Sequence, residues 1–143
     1  MQIEDRAGTR PDKQTAKAGR RVLVVEDEAI VALVLVAGLR SDGWDIIGPA
    51  STLKAAYQLL AEGMTPDVAL LDLNLDGAPI YPLAQVLQAR NIPFAFYSGY
   101  SAPILEPRFK DVTLIGKLAR AHVINAELSR LVVTARLGPP ARL

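Results

Sequence analysis

Arg21-Val22-Leu23-Val24-Val25-Glu26-Asp27 is an apolar, β-branched run that closes on two carboxylates. A continuous apolar run of this length suits a strand covered on both faces, as in a parallel sheet. The pattern recurs downstream. Asp67-Val68-Ala69-Leu70-Leu71-Asp72 is a second such run and again ends in a carboxylate. Pro93 to Tyr97 is another, closed by Ser98-Gly99, and Val112 to Ile115 is the last, with Lys117 just beyond it. Asp45-Ile46-Ile47-Gly48 is a shorter strand candidate.

Helical spacing fills the intervals. Ala29 to Leu39 is apolar almost all round and stops at Ser41-Asp42-Gly43, which reads as a buried helix. Leu53, Ala56, Tyr57, Leu60 and Ala61 share one face of an amphipathic helix that Ser51 or Thr52 can cap. Ile80, Leu83, Ala84 and Leu87 mark another, with Pro79 and Pro82 placed in its first turn. Two prolines between Ser101 and Lys110 keep any helix there short. Ile124, Leu128, Leu131, Val132 and Ala135 mark the last helix, which Gly138-Pro139-Pro140 terminates. Alternating strands and helices imply βαβ units and a doubly wound α/β domain, a parallel sheet of five strands flanked by helices, flavodoxin-like in plan.

The 143 residues fit one domain over 20–137, with a disordered extension over 1–19 and a flexible tail over 138–143 as expectations. A net charge of +1 gives no large attraction to nucleic acid or to an acidic membrane. The absence of cysteine removes disulfides, thiolate metal sites and a cysteine nucleophile, and fits a reducing compartment. The densest apolar stretch, Ala29 to Leu39, has 11 residues, whereas a membrane span needs roughly 20. The expected setting is therefore the cytoplasm, without a membrane or nucleic-acid partner.

In open parallel sheets the site lies beyond the carboxyl ends of the strands, where strand order reverses. That rule collects Glu26, Asp27, Asp72, Ser98 and Lys117 at one edge. Three converging carboxylates repel unless a cation is present. A hard divalent ion, Mg²⁺ or Mn²⁺, suits an all-oxygen donor set. A lysine and a hydroxyl nearby complete a site able to accept a phosphoryl group, with Asp72 as nucleophile.

At these residues the chain resembles the receiver domain of two-component response regulators. The resemblance rests on Val24-Val25-Glu26-Asp27-Glu28, Leu71-Asp72-Leu73-Asn74-Leu75-Asp76-Gly77, Tyr97-Ser98-Gly99-Tyr100 and Ile115-Gly116-Lys117, and covers about residues 20–137. It implies that Asp72 is the phosphoacceptor and that Glu26 and Asp27 hold the metal with Asp72. It also implies that the Asn74 backbone carbonyl completes the metal site, that Ser98 is the switch hydroxyl and that Lys117 is the family's lysine. The donor would be a sensor histidine kinase or a histidine phosphotransfer protein, and the output would pass to an unidentified downstream protein or by onward phosphotransfer. Such a protein is not an enzyme acting on a separate substrate, though it takes part in its own phosphorylation and dephosphorylation.

Pro93-Phe94-Ala95-Phe96-Tyr97-Ser98-Gly99-Tyr100 is similar to the Phe-Ala-Thr-Gly-Tyr signature of the FATGUY receivers, a stand-alone subgroup. Leu114 occupies the place of the switch aromatic of ordinary receivers, which also fits that subgroup. With Tyr97 and Tyr100 it marks a possible signalling surface. The family has proline after the lysine, often with a cis bond. Leu118 stands there instead, so a trans bond and a slightly shifted lysine are expected.

Each residue alone has an ordinary reading. Asp72 can cap a turn, the Glu26–Glu28 run can be a solvated helix start, and Tyr97 and Tyr100 can be packing. Trp44 reads as packing and His122 as a solvated side chain. A phosphorylation-independent binding or dimerisation module is the main alternative. A phosphohydrolase on this fold would carry a second Asp where Asn74 stands, and a flavin site would not place Glu26-Asp27-Glu28 beside a phosphate.

Overall fold

The computed structural model describes residues 20–99 and 103–138. The expectations for 1–19, for Tyr100 and for the tail beyond Gly138 lie outside them.

Five strands form one parallel sheet: β1 (Arg21–Val25), β2 (Asp45–Ala50), β3 (Val68–Asp72), β6 (Phe94–Ser98) and β7 (Thr113–Gly116). Their order is β2-β1-β3-β6-β7, so the chain steps to one side of β1 and then returns to the other. The reversal falls between β1 and β3, and it opens a crevice at their carboxyl ends. Helices α1 (Ala29–Ser41), α2 (Leu53–Ala61), α3 (Tyr81–Ala89) and α4 (Ala121–Leu137) cover the sheet.

The strand pleat divides the core into two. Leu23, Ala69, Leu71 and Phe96 point toward α2 and α3 and pack with Ala56, Leu60, Leu83 and Leu87. Val24, Leu70, Ala95 and Tyr97 point the other way and pack with Leu35 and Leu39 of α1 and Ile124 and Leu128 of α4. Because β3 and β6 are buried at every residue, they read as continuous apolar runs. Trp44 is buried as expected: its Nε1 donates to Asn125 Oδ1 at 2.8 Å, and the Arg20 guanidinium lies 4.5 Å from its ring centroid. His122 is exposed.

Three expectations need correction. First, α1 is not a buried helix. Only Ala32, Leu35, Val36 and Leu39 are buried, while Ile30, Leu33 and Val34 are 78%, 70% and 67% exposed. A helix laid on a sheet buries one stripe, and the apolar residues of α1 outnumber the positions in that stripe. Second, Pro79 is not in the first turn of α3. It belongs to a short antiparallel hairpin, β4 (Asn74–Leu75) with β5 (Ala78–Pro79), in which Asn74 faces Pro79. Asp76 and Gly77 turn it with φ of 48° and 83°, and the Gly77 N–H donates to Asn74 Oδ1 at 3.1 Å. Positive φ at both central residues is what a two-residue hairpin turn of this hand requires. Third, β2 continues past Gly48 to Ala50, with a register shift against β1. A Cβ on Gly48 would meet Ala50 N at 2.7 Å and Val24 O at 2.9 Å, so only glycine passes there.

Among the described residues between β6 and β7, where a short helix was expected, there is one 3₁₀ turn, Pro107–Phe109. Phe109 anchors it. The ring is fully buried and stacks on Tyr81 at 5.2 Å. The Tyr81 hydroxyl accepts a hydrogen bond from the Glu106 N–H at 3.2 Å.

Candidate functional site

Four of the five strands, β1, β3, β6 and β7, each deliver a polar side chain to the same edge. Glu26 follows β1, and its N–H donates to Ala50 O at 2.9 Å, which extends the ladder by one residue. Asp72 and Ser98 are the last residues of β3 and β6. Lys117 follows β7, and its N–H donates to Ser98 O at 2.8 Å. The Lys117–Leu118 bond is trans, as expected from the leucine, since Gly48–Pro49 is the cis bond among the described residues.

Glu26, Asp72 and Ser98 are the buried polar residues of the described chain, at 2%, 2% and 3% exposure. Backbone amides hold the two acids. Glu26 Oε2 accepts from the Glu28 N–H at 3.0 Å, and Asp72 Oδ1 accepts from the Asn74 N–H at 3.0 Å. The Lys117 ammonium bridges them: Nζ donates to Asp72 Oδ2 at 2.9 Å and stands 3.1 Å from Glu26 Oε1. It also reaches Glu28 Oε1 at 3.4 Å. Sequence reasoning treated Glu28 as a helix start and missed that contact, which joins residues 89 apart.

Burial is the main cause that pushes the Glu26 carboxyl up to about 7, and the neighbouring Asp72 charge adds to it. Burial works to lower the Lys117 ammonium, but hydrogen bonds to Asp72 and Glu26 outweigh it and hold the group above its ordinary value. The Tyr97 phenol is raised by burial and then by the Glu26 charge.

Carboxylate oxygens of Glu26, Asp27 and Asp72 lie within 4.8 Å of one another. One ammonium cannot neutralise three carboxylates, and Glu26 Oε1 is buried without a hydrogen-bond donor aligned on it. An all-oxygen set of this kind fits a hard divalent cation such as Mg²⁺ or Mn²⁺. The crevice above it is about 690 Å³ and is lined by Asp27, Asp72, Asn74, Ser98 and Lys117 among others. Glu28, Asp76 and Tyr81 line it too, and sequence reasoning had given none of them that place.

The structure thus brings Glu26, Asp27, Asp72, Asn74, Ser98 and Lys117 together. Tyr97 is 4% exposed and belongs to the interior, on the far side of β6 from the α2–α3 core. Leu114 stands on β7 at 36% exposure.

No family model matches the chain. Over 113 residues it is 30% identical to the transcriptional regulatory protein PdtaR of Mycobacterium tuberculosis, covering 77% of this chain and 54% of that protein. The chain therefore spans about half the length of that relative. It superposes on the signal receiver domain of a modulated diguanylate cyclase from Desulfovibrio desulfuricans G20 with a TM-score of 0.71 at 25% identity, covering 83% of this chain and 98% of that one. On the BeF3-activated conformation of SdrG from Pseudomonas melonis Fr1 the TM-score is 0.68 at 32% identity, covering 80% and 98%.

The chain is a response-regulator receiver domain.

As a receiver it has its acidic cluster at the carboxyl edge of β1 and β3, where the strand order reverses. Among the described residues of the receiver, no helix is long and apolar enough to cross a membrane.

Proposed function

We propose that this receiver accepts a phosphoryl group on Asp72 from a phosphohistidine of a sensor kinase or phosphotransfer protein in the cytoplasm. The observation that carries this reading is the Asp72–Lys117 pair, 2.9 Å apart and buried beside Glu26 and Asp27. Asp72 is held from both oxygens, Oδ1 accepting from the Asn74 amide and Oδ2 from the Lys117 ammonium, and the residue lines the crevice. The Asp72 oxygen forms a bond to phosphorus as the bond from phosphorus to the donor imidazole nitrogen breaks. The electron pair of the broken bond stays on the imidazole. Lys117 passes from the Asp72 carboxylate to an oxygen of the arriving phosphoryl group, and the buried Ser98 hydroxyl can serve another. Glu26, Asp27 and Asp72, with the Asn74 carbonyl, would hold Mg²⁺, which when bound spreads the charge of the transferred group.

The phosphorylated aspartate would bring roughly −1.5 to −2 charge to this edge, by analogy with other phosphorylated side chains. The pull on Ser98 and Lys117 would shift the segment between β6 and β7 in population and change partner contacts. Leu114, exposed on β7 just after that segment, would belong to the changed surface, as would fit a receiver of the FATGUY subgroup. Output would be to a downstream protein or by onward phosphotransfer. The receiver would take part in its own phosphorylation and dephosphorylation without acting as an enzyme on another substrate.

Ile30, Leu33 and Val34 favour a second reading, a binding or dimerisation module that needs no phosphorylation, because they expose one apolar helix face. Incubation with acetyl phosphate and Mg²⁺, followed by intact mass, separates the two. The first reading expects the mass of one phosphoryl group on the wild type and none on Asp72→Asn. The second expects no gain on either.

A further inference from the structure

Tyr97 sits where packing and chemistry meet. In register it pairs with Asp72 on one side and with Ile115, two residues before Lys117, on the other. Its carbonyl accepts from the Leu73 N–H at 3.1 Å, so the backbone beneath it is tied to the strand that carries Asp72. The next residue, Ser98, faces the crevice, and the pleat sends the Tyr97 ring to the opposite face. There the ring meets the Lys117 side chain, with Nζ 5.7 Å from the ring centroid. That is within the range in which an aromatic face attracts an ammonium.

The Lys117 ammonium therefore has two kinds of neighbour. On one side are Asp72, Glu26 and Glu28, at 2.9, 3.1 and 3.4 Å. On the other is the ring. The carboxylate contacts must loosen when a phosphoryl group and a cation arrive, because both compete for the same charges. The ring contact need not change. Tyr97 and Lys117 also line an apolar cavity of about 270 Å³ between α1 and α4, with Leu35, Ala119 and Ile124 in its wall. A smaller apolar side chain at 97 would join that space to the lysine stem and leave it free to tilt away from Asp72.

We propose that Tyr97 is a positioning residue whose ring holds the Lys117 ammonium over Asp72 during phosphoryl transfer. This rests on the reading of Asp72 as phosphoacceptor.

The test compares wild type, Tyr97→Phe and Tyr97→Leu for the rate of phosphoryl gain from acetyl phosphate with Mg²⁺. Circular dichroism checks that each is folded. Tyr97→Phe keeps the ring and should stay within about twofold of wild type, while Tyr97→Leu should be roughly three- to tenfold slower. Proton NMR of the Lys117 ε-methylene supplies a reading that packing alone would not move. Its signal should lie upfield in wild type and Tyr97→Phe, through the ring current, and return toward the ordinary lysine position in Tyr97→Leu. An ordinary position in wild type overturns the proposal, as does a full rate in Tyr97→Leu. If wild type gains no phosphoryl group at all, the reaction that Tyr97 would serve is absent and the reading of Asp72 falls with it. If wild type reacts and Tyr97→Leu reacts as fast, only the role of Tyr97 falls.

Discussion

Lys117 Nζ lies 2.9 Å from Asp72 Oδ2, a contact between the end of β3 and the residue after β7. The pair is shielded, with the Lys117 side chain 18% and the Asp72 side chain 3% exposed. It is the point at which the sheet, the charge cluster and the proposed chemistry meet.

Removing the ammonium should be costly to the metal-free fold. Lys117→Met leaves Glu26 and Asp72 buried beside each other without their shared cation. A loss of about 2 kcal/mol is expected, read from the urea midpoint in the presence of a chelator. Mg²⁺ should recover most of it, since the cation serves the same carboxylates.

Mg²⁺ should also stabilise the wild-type protein. A cation bound only by the folded chain adds about 2.7 kcal/mol at a hundred times its dissociation constant. Thermal melts across a Mg²⁺ titration should rise, and Asp27→Asn or Glu26→Gln should flatten the rise. An equal rise in those variants would move the cation elsewhere.

Without metal, stability should fall as pH rises from about 4.5 toward about 7. Burial raises Glu26 from 4.5 to about 7, so the folded chain keeps a proton there that the unfolded chain has released. Over that window the unfolded state binds fewer protons, and the slope of unfolding free energy with pH is negative. Glu26→Gln should remove this part of the slope between pH 5 and pH 7.5, measured by urea denaturation in chelator.

The two faces of α1 should respond differently. Leu33→Lys lies at 70% exposure and should change stability by less than about 0.5 kcal/mol. Leu35→Ala removes a side chain at 6% exposure and should cost about 2–5 kcal/mol. Chemical denaturation distinguishes them directly.

The strand ends were legible because chemistry and position coincide there: a parallel strand reads as an apolar run, and its terminal polar residue falls at the site edge. That logic reaches Glu26, Asp72, Ser98 and Lys117. The exposed stripe of α1 was not legible, because a helix apolar on all sides carries no periodicity to say which side meets the sheet. The hairpin at Asp76-Gly77 did have a signal, the Asp-Gly pair between short apolar flanks, but the neighbouring prolines read more easily as a helix start. Tyr97 had an alternating pattern in its favour, since Phe94 and Phe96 face one core and Ala95 and Tyr97 the other. Its meeting with Lys117 depends on how the ends of β6 and β7 lie side by side, which no local pattern records.

The most direct measurement is intact mass after incubation with acetyl phosphate or a phosphorylated histidine kinase, with and without Mg²⁺, for wild type and Asp72→Asn. Phosphorylation at Asp72 predicts a Mg²⁺-dependent gain of one phosphoryl group on wild type that the variant lacks. A gain that persists in Asp72→Asn, or no gain on wild type from either donor, would contradict it.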